Sequence, residues 1–330
     1  MNRRIGNKFN PNDAIETKYI KVYFCMVETT TKTKAWLHAF RLRTLPLAIS
    51  GILCGSAVAY QQEHFKISVF ILALITAVFL QILSNLANDY GDFAKGTDNE
   101  DRIGTPRALQ SGMISIKAMK LAIVGFVVLC LISGVSLLML AFGTEKLPEL
   151  ITFFILGIGG IAAAIKYTVG KSAYGYKGLG DVFVFFFFGV VAVYGVYILY
   201  AGEFFWPCLL PAISIGCFST AVLNINNIRD IESDRKAGKI TIPVRLGEDN
   251  ARKYHIILML IGGVSVMIYG FVSFTEYYQY IFLLAFIPLM KNAVFIAKWP
   301  VDESFNRFLK EMAISTLVFA ICFSAGCLLS

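Results

Sequence analysis

Residues 67–92 read ISVFILALITAVFLQILSNLANDYGD. The stretch is apolar from Ile67 to Ala87 and then turns abruptly polar, at Asn88, Asp89 and Asp92. A helix needs about 20 apolar residues to cross a hydrocarbon core roughly 30 Å thick. The run has that length, so the stretch reads as a membrane span delivering an acidic cluster to the bilayer surface.

The same pattern recurs along the chain. Nine runs qualify, at 45–60, 67–87, 118–141, 149–165, 179–200, 206–225, 254–273, 278–297 and 309–329. Bilayer-embedded backbone must satisfy its own hydrogen bonds, so the expected form is helical. The period-2 alternation of a membrane strand is absent. Composition agrees: 57% of the 330 residues are hydrophobic, only 16% are charged, and mean hydropathy is +0.66. Soluble domains carry about 25% charged residues. The net charge of +8 sits on too few residues to cover a globular surface, which argues against a soluble enzyme or a nucleic-acid binder. The expected fold class is an all-α integral membrane protein of nine transmembrane helices, with the lipid bilayer as its solvent.

Charge placement orients the spans. Counting outward from the runs, 28 of the 30 Lys and Arg residues fall in the N-terminal segment or after the even-numbered spans; only Lys66 and Lys146 lie opposite. The positive-inside rule then places the N-terminus and the even-numbered connections in the cytoplasm and the C-terminus outside. Residues 1–35 are expected to be a polar, poorly ordered cytoplasmic tail and 36–330 the nine-helix domain. The tail has no apolar core of signal-peptide length, so no cleavable signal is expected. Met26 opens a polar lead into the first span, and residues 1–25 are expected to be dispensable. The seven cysteines form no CxxC pair and the three histidines are scattered, so neither residue type is expected to carry chemistry.

Two cytoplasmic connections hold the informative polar residues. The first runs Asn85, Asn88, Asp89, Asp92, Lys95, Asp98, Glu100, Asp101, Arg102; the second runs Asn224, Asn226, Asn227, Arg229, Asp230, Asp234, Lys239. Both share Asn-x3-Asp, at Asn88/Asp92 and Asn226/Asp230. Residues three or four apart share a helix face, so Asn226, Asp230 and Asp234 form one stripe if the sixth span continues as a helix. Two like charges about 4 Å apart repel by roughly 4 kcal/mol at an effective dielectric near 20, so the two clusters need cations if they meet. Oxygen-only donors favour Mg²⁺ or Mn²⁺ over zinc, and Mg²⁺ is commonly shared between a few carboxylates and substrate phosphates. A single DxxxD at a helix end is more often a solvated cap, but two Asn-bearing copies on one membrane face favour a magnesium–diphosphate clamp. Positive donors for the diphosphate are available at Arg41 or Arg43, Arg102, Arg107, Arg229, Lys171 and Lys177; for several of these a purely topological role accounts for the charge equally well.

Asn88-Asp-Tyr-Gly-Asp92 and Asn227-Ile-Arg-Asp230-x3-Asp234 on a nine-span chain resemble the UbiA superfamily of intramembrane aromatic prenyltransferases. The likeness covers about residues 36–329. The blocks Ser84–Asp92, Lys95–Asp98, Asp101–Gly104, Tyr174–Asp181 and Gly238-Lys239-x-Thr241 are similar to its menaquinone branch, the 1,4-dihydroxy-2-naphthoate polyprenyltransferases. The chain departs from the family's first motif where a third aspartate falls on Gly96, leaving Asp89 or Asp98 to complete the metal set. The resemblance implies a central chamber opening laterally to lipid, with Mg²⁺ held among Asn88, Asp89, Asp92, Asp98, Asn226, Asp230 and Asp234. It implies diphosphate held by Arg43, Asn88, Arg102, Arg107, Asn226, Arg229, Lys239 and the Tyr-x3-Lys pair Tyr167 and Lys171. The implied substrates are a polyprenyl diphosphate and 1,4-dihydroxy-2-naphthoate, the product demethylmenaquinone. Asp181 is a candidate to orient the acceptor or take its hydroxyl proton, although a helix N-terminal carboxylate explains it as well. Phe183 and Phe185–Phe188 are candidates for the chamber wall, with a lipid-facing role expected for most. Other aromatic acceptors, such as 4-hydroxybenzoate or homogentisate, are the nearest alternative. A divalent-cation or lipid transporter is the distant one, disfavoured because the span centres hold almost no acids.

Overall fold

The computed structural model describes residues 32–97, 107–170 and 172–329; Asp98, Arg102 and Lys171 lie outside the described residues, as do residues 1–31. Among the described residues nine helices are long and apolar enough to cross a membrane. The first segment, Lys32–Gln61, is broken at Arg41, and beyond the break α1 runs Leu45–Gln61. The others are α2 Ile67–Ala94, α3 Ile116–Phe142, α4 Leu147–Lys166, α5 Gly180–Ala201, α6 Leu209–Arg229, α7 Glu248–Ser273, α8 Tyr277–Lys298 and α9 Phe305–Leu328.

The bundle is built around α6, which packs against α1, α5, α7 and α9. Of its apolar window 78% is buried, against 6% for α4, which leans chiefly on α2 and α3 at the periphery. Membrane helices gain little from burying apolar surface against each other rather than lipid, so close backbone approach has to supply the packing. It does so at α1–α5: a Cβ on Gly55 would stand 2.3 Å from the Val193 carbonyl oxygen. The facing part of α5, Phe185–Gly195, is π-helical. Wider π turns interrupt the α-helical register and recur at functional sites.

Three differences from the sequence expectation matter. Residues 32–35, expected to belong to the tail, are helical and continuous with 36–39. Ala35 and Ala39, one turn apart, bury against Ile82, Leu86, Ala108 and Leu109, so this short helix lies across the end of α2. Second, α6 does not continue through Asp234. Asp230 breaks it at φ −99 and ψ 13, and a separate short helix, Ile231–Lys236, follows. Third, Gly96, where the family pattern calls for an aspartate, sits at φ +70 directly after α2. A left-handed residue past the helix end favours glycine, so the position that would extend the acidic stripe ends the helix instead.

Candidate active site

A cavity of about 380 Å³ lies between α1, α2, α3, α4, α5 and α6. Its wall is mostly apolar, from Leu47, Ile52, Leu137, Phe153, Ile161, Val191 and Leu199 among others. The lining runs along α5 from Phe183 to Leu199, so the cavity reaches deep into the bundle. One end is polar. There Arg41, Gln81, Ser84, Asn85, Asn88, Asp92, Arg107, Tyr167, Asn226 and Lys239 converge.

Asp92, Asp230 and Asp234 are each met by a base. Arg107 Nη1 donates to Asp92 Oδ2 at 2.6 Å and to the Asn88 carbonyl at 3.3 Å. Arg229 grips Asp230 with Nε at 2.7 Å and Nη2 at 2.5 Å, while its Nη1 donates to Asn306 of α9 and Nη2 also reaches Asn226. Lys239 Nζ stands 3.2 Å from Asp234 Oδ1. All three aspartates are buried. A buried charge is tolerated only when paired, which explains why acids and bases interleave so closely here.

Several carboxylate and amide oxygens keep unused acceptor capacity. Asp89 Oδ1, Asp234 Oδ2 and Asn227 Oδ1 are buried without a hydrogen-bond donor. Asp89 lies one turn from Asp92 but off the cavity wall, in the electrostatic neighbourhood of Arg41, Arg107 and His38. Asn88 faces the cavity, and its Oδ1 accepts from Thr168 at 3.3 Å. Burial pushes Asp234 up to about 6, with Lys239 offsetting part of the rise. Burial works against the Lys239 charge, but Asp234, Asp92 and Asp230 outweigh it and hold the ammonium above its ordinary range. Tyr167 is pushed up by burial and then by Asp181, Asp92 and Asp234, so it faces the site as a neutral phenol.

Not every candidate reaches the cavity: Arg229, Asp230 and Asp234 of the second motif are not on its wall, which that segment joins through Asn226 and Lys239. Asp181 is buried at the start of α5 and accepts from Tyr254 Oη on α7 at 3.1 Å; it is not part of the wall. Arg43 lies near Arg107, Arg229 and Asp230, behind the wall rather than on it. Of the phenylalanines, Phe183, Phe187 and Phe188 line the cavity, Phe185 packs on Gly216, and Phe186 is 40% exposed.

Further residues join the site from outside the two Asn-x3-Asp motifs. Arg41 lines the mouth, and its φ of 49 is the left-handed break that turns the first segment. Gln81 and Asn85 continue the polar face of α2 below Asn88 and bind Thr44 Oγ1 at 3.1 and 3.0 Å. Their helical spacing with Asn88 and Asp92 is a signal visible in the sequence. Tyr176 donates to Asp92 Oδ1 at 2.9 Å, and no spacing rule links it to an acid so distant in sequence.

The UbiA prenyltransferase family model matches residues 48–328. The chain belongs to this family. A UbiA-family chain whose described residues include nine helices long and apolar enough to cross a membrane is a multi-pass integral membrane protein. It is 45% identical over 300 residues to a 1,4-dihydroxy-2-naphthoate octaprenyltransferase of Escherichia coli K12, covering 91% of this chain and 97% of that one. It is 37% identical over 233 residues to the enzyme of the same name from Mycobacterium tuberculosis, covering 71% and 77%. Two solved UbiA homologues share the fold. The apo structure from Aeropyrum pernix K1 has a TM-score of 0.62 at 16% identity, covering 88% of this chain and 97% of that one. The homologue from Archaeoglobus fulgidus, bound to GPP and Mg²⁺, has a TM-score of 0.60 at 19% identity, covering 88% and 100%.

Proposed function

We propose that this UbiA-family chain transfers a polyprenyl group from polyprenyl diphosphate to 1,4-dihydroxy-2-naphthoate, releasing CO₂ and diphosphate and giving demethylmenaquinol, the reduced form of demethylmenaquinone. The observation that carries the reading is the charged cluster at the polar end of an apolar cavity, where Asp92, Arg107 and Lys239 line the wall and Asp234 and the Asp230–Arg229 pair lie in the electrostatic neighbourhood of Lys239 and Arg43. An amphipathic donor with a doubly charged head and a long hydrocarbon tail matches that arrangement. The relatives at 45% and 37% identity support the acceptor class.

The donor set fits magnesium. It is all oxygen, and within it Asp234 Oδ2 is buried without a hydrogen-bond donor. Among the described residues no three acids form a ready-made cage, so the ion fits as one shared between Asp92, Asp230, Asp234 and the diphosphate, with Asn88 and Asn226 alongside. Bound there, it would supply charge neutralisation for the leaving diphosphate.

The chain's own residues do the rest. Arg107 and Lys239, both on the cavity wall, offer donors to the phosphate oxygens, with Tyr167 as a neutral hydrogen-bond donor. Fixed charges aimed at the leaving group stabilise the negative charge it gains as the allylic C–O bond breaks. The apolar wall, with Phe183, Phe187 and Phe188, keeps water from the allylic cation. The electron-rich naphthoate ring then forms the new C–C bond. Its carboxylate departs as CO₂, and the bonding pair left behind restores the aromatic ring. We place the protein in the cell membrane, with the N-terminus and the charged mouth cytoplasmic and the C-terminus outside, on the strength of the one-sided basic residues.

The test is purified protein incubated with Mg²⁺, a polyprenyl diphosphate and, separately, dihydroxynaphthoate, 4-hydroxybenzoate and homogentisate. Demethylmenaquinol from the first is expected, read as demethylmenaquinone after oxidation in air. Prenylation of 4-hydroxybenzoate alone would overturn the acceptor assignment, and no prenyl transfer to any of them would overturn the reaction class.

A further inference from the structure

Three connections meet at one side chain. Tyr176 sits in the short turn Tyr174–Lys177 between α4 and α5. Its Oη donates to Asp92 Oδ1 at 2.9 Å and shares a 2.5 Å hydrogen bond with Thr97 Oγ1, just past the end of α2. Its ring lies beneath Lys95 Nζ, 3.7 Å from the centroid, with Lys239 Nζ at 5.8 Å. Its carbonyl accepts from the Ile240 amide at 3.0 Å, tying the α4–α5 turn to the segment that carries Lys239.

The two oxygens of Asp92 are thus fixed from different directions, Oδ1 by Tyr176 and Oδ2 by Arg107. A carboxylate on a helix end rotates freely about its last bond unless both oxygens are held. Arg107 is well placed to turn toward a bound diphosphate; the phenol is not an anion's strongest partner and has no reason to leave. A cation over an aromatic face is attracted by the ring quadrupole, so the same ring also keeps two ammonium groups at the rim.

We propose that Tyr176 is a positioning residue for the diphosphate site, orienting the Asp92 carboxylate toward the metal and holding Lys95 and Lys239 at the mouth. The proposal rests on the function proposed above. It adds a residue outside both aspartate motifs and the Tyr-x3-Lys pair, acting through Asp92 rather than on substrate. Partners that orient a metal-binding carboxylate commonly change metal affinity by about 10–100-fold when removed.

The experiment uses the full chain in detergent, wild type and Tyr176→Phe, titrated calorimetrically with Mg²⁺ at saturating inorganic pyrophosphate. The phenylalanine keeps the ring and loses the hydroxyl. The expected result is Mg²⁺ affinity weaker by about tenfold or more, with a matching rise in the Mg²⁺ needed for half-maximal prenyl transfer and a smaller change in kcat. Mg²⁺ affinity within about twofold of wild type would overturn the proposal. If Tyr176→Phe gives no cooperative thermal unfolding, Thr97→Val decides. It leaves Tyr176 in place and removes the hydroxyl that orients it, and about threefold weaker Mg²⁺ binding is expected; an unchanged affinity overturns the proposal. A wild-type protein that transfers no prenyl group overturns the function itself, so the two failures are distinct.

Discussion

Arg229 and Asp230 are neighbours in sequence and form a two-pronged ion pair, Nε to Oδ1 at 2.7 Å and Nη2 to Oδ2 at 2.5 Å. The pair sits where α6 breaks, and the same guanidinium reaches back to Asn226 and across to Asn306 on α9. Arg229 therefore ties the second acidic motif to two helices at once and fixes the direction in which Asp230 presents its oxygens.

That geometry predicts that lysine cannot replace it. Arg229→Lys keeps the charge but loses the planar fork, and Asn306 and Asp230 each lose a partner. Hydrogen bonds to charged groups contribute about 1.5–3 kcal/mol each. We expect prenyl-transfer kcat/KM to fall by about 100-fold, with a lower thermal unfolding midpoint. Retention of both would show that the charge alone suffices.

Gly91 should tolerate no side chain. An added Cβ would lie 2.3 Å from Thr168 Oγ1 and 2.7 Å from the Thr168 carbonyl carbon, which is backbone and cannot swing aside. Gly91→Ala would push the end of α4 away from α2 and loosen the Thr168 contact with Asn88. Overpacking of this kind costs about 1–3 kcal/mol, and reduced heat resistance and activity are expected. Gly125→Ala in α3, where nothing lies within 4 Å of the new atom, is the matched control and should be silent.

The pH dependence has two signs. Burial raises Asp234 to about 6, while an unfolded aspartate titrates near ~3.9. In the ligand-free protein this group's contribution to stability is fully present below pH ~3.9 and lost as pH rises through about 6. Thermal unfolding of the ligand-free chain should therefore show this group favouring a pH near ~5 over neutrality, and Asp234→Asn should remove that part of the difference. Metal binding needs the ionised form, so the opposite holds for Mg²⁺. Its half-saturating concentration should fall as pH rises through about 6 and then level off. A pH-independent Mg²⁺ requirement in the wild type would contradict the assignment of Asp234 to the metal.

The deep end of the cavity should limit the donor. Ala73, Phe153 and Leu199 close it far from Asp92, and Ala73→Phe would fill that end without touching the charged mouth. Competition between polyprenyl diphosphates of different lengths, read by product mass, should shift toward shorter donors. An unchanged profile would mean that the tail leaves the cavity before reaching Ala73.

Much of the architecture is legible in the amino-acid sequence. Apolar runs of span length mark the nine membrane-length helices of the described residues, because in hydrocarbon a single segment satisfies its own backbone hydrogen bonds only as a helix. The Asn-x3-Asp repeat points to the polar mouth because helical spacing is local. The same local reasoning fails at Asp230, where the stripe is expected to run on to Asp234 and the helix instead breaks. It also brings Asp181 forward on its place in a motif, while the structure turns that carboxylate toward Tyr254.

The sequence by itself marked the nine apolar spans, the gathering of basic residues in alternate connections, and the two acidic clusters at span ends. Each of these follows from properties of short windows: length, apolarity and charge count. Only the tertiary structure decided that Arg107 meets Asp92, that Lys239 meets Asp234, that Tyr176 reaches Asp92 from another connection, and that Arg41 turns into the mouth. Tyr176 and Asp92 are 84 residues apart and Arg107 and Asp92 are 15 apart. Even Lys239, a few residues beyond Asp234, reaches it only after the chain turns past the end of a short helix. These pairings depend on how α2, the α4–α5 turn and the α6–α7 connection close over one cavity, and buried charges then settle with whichever opposite charge the packing brings within reach.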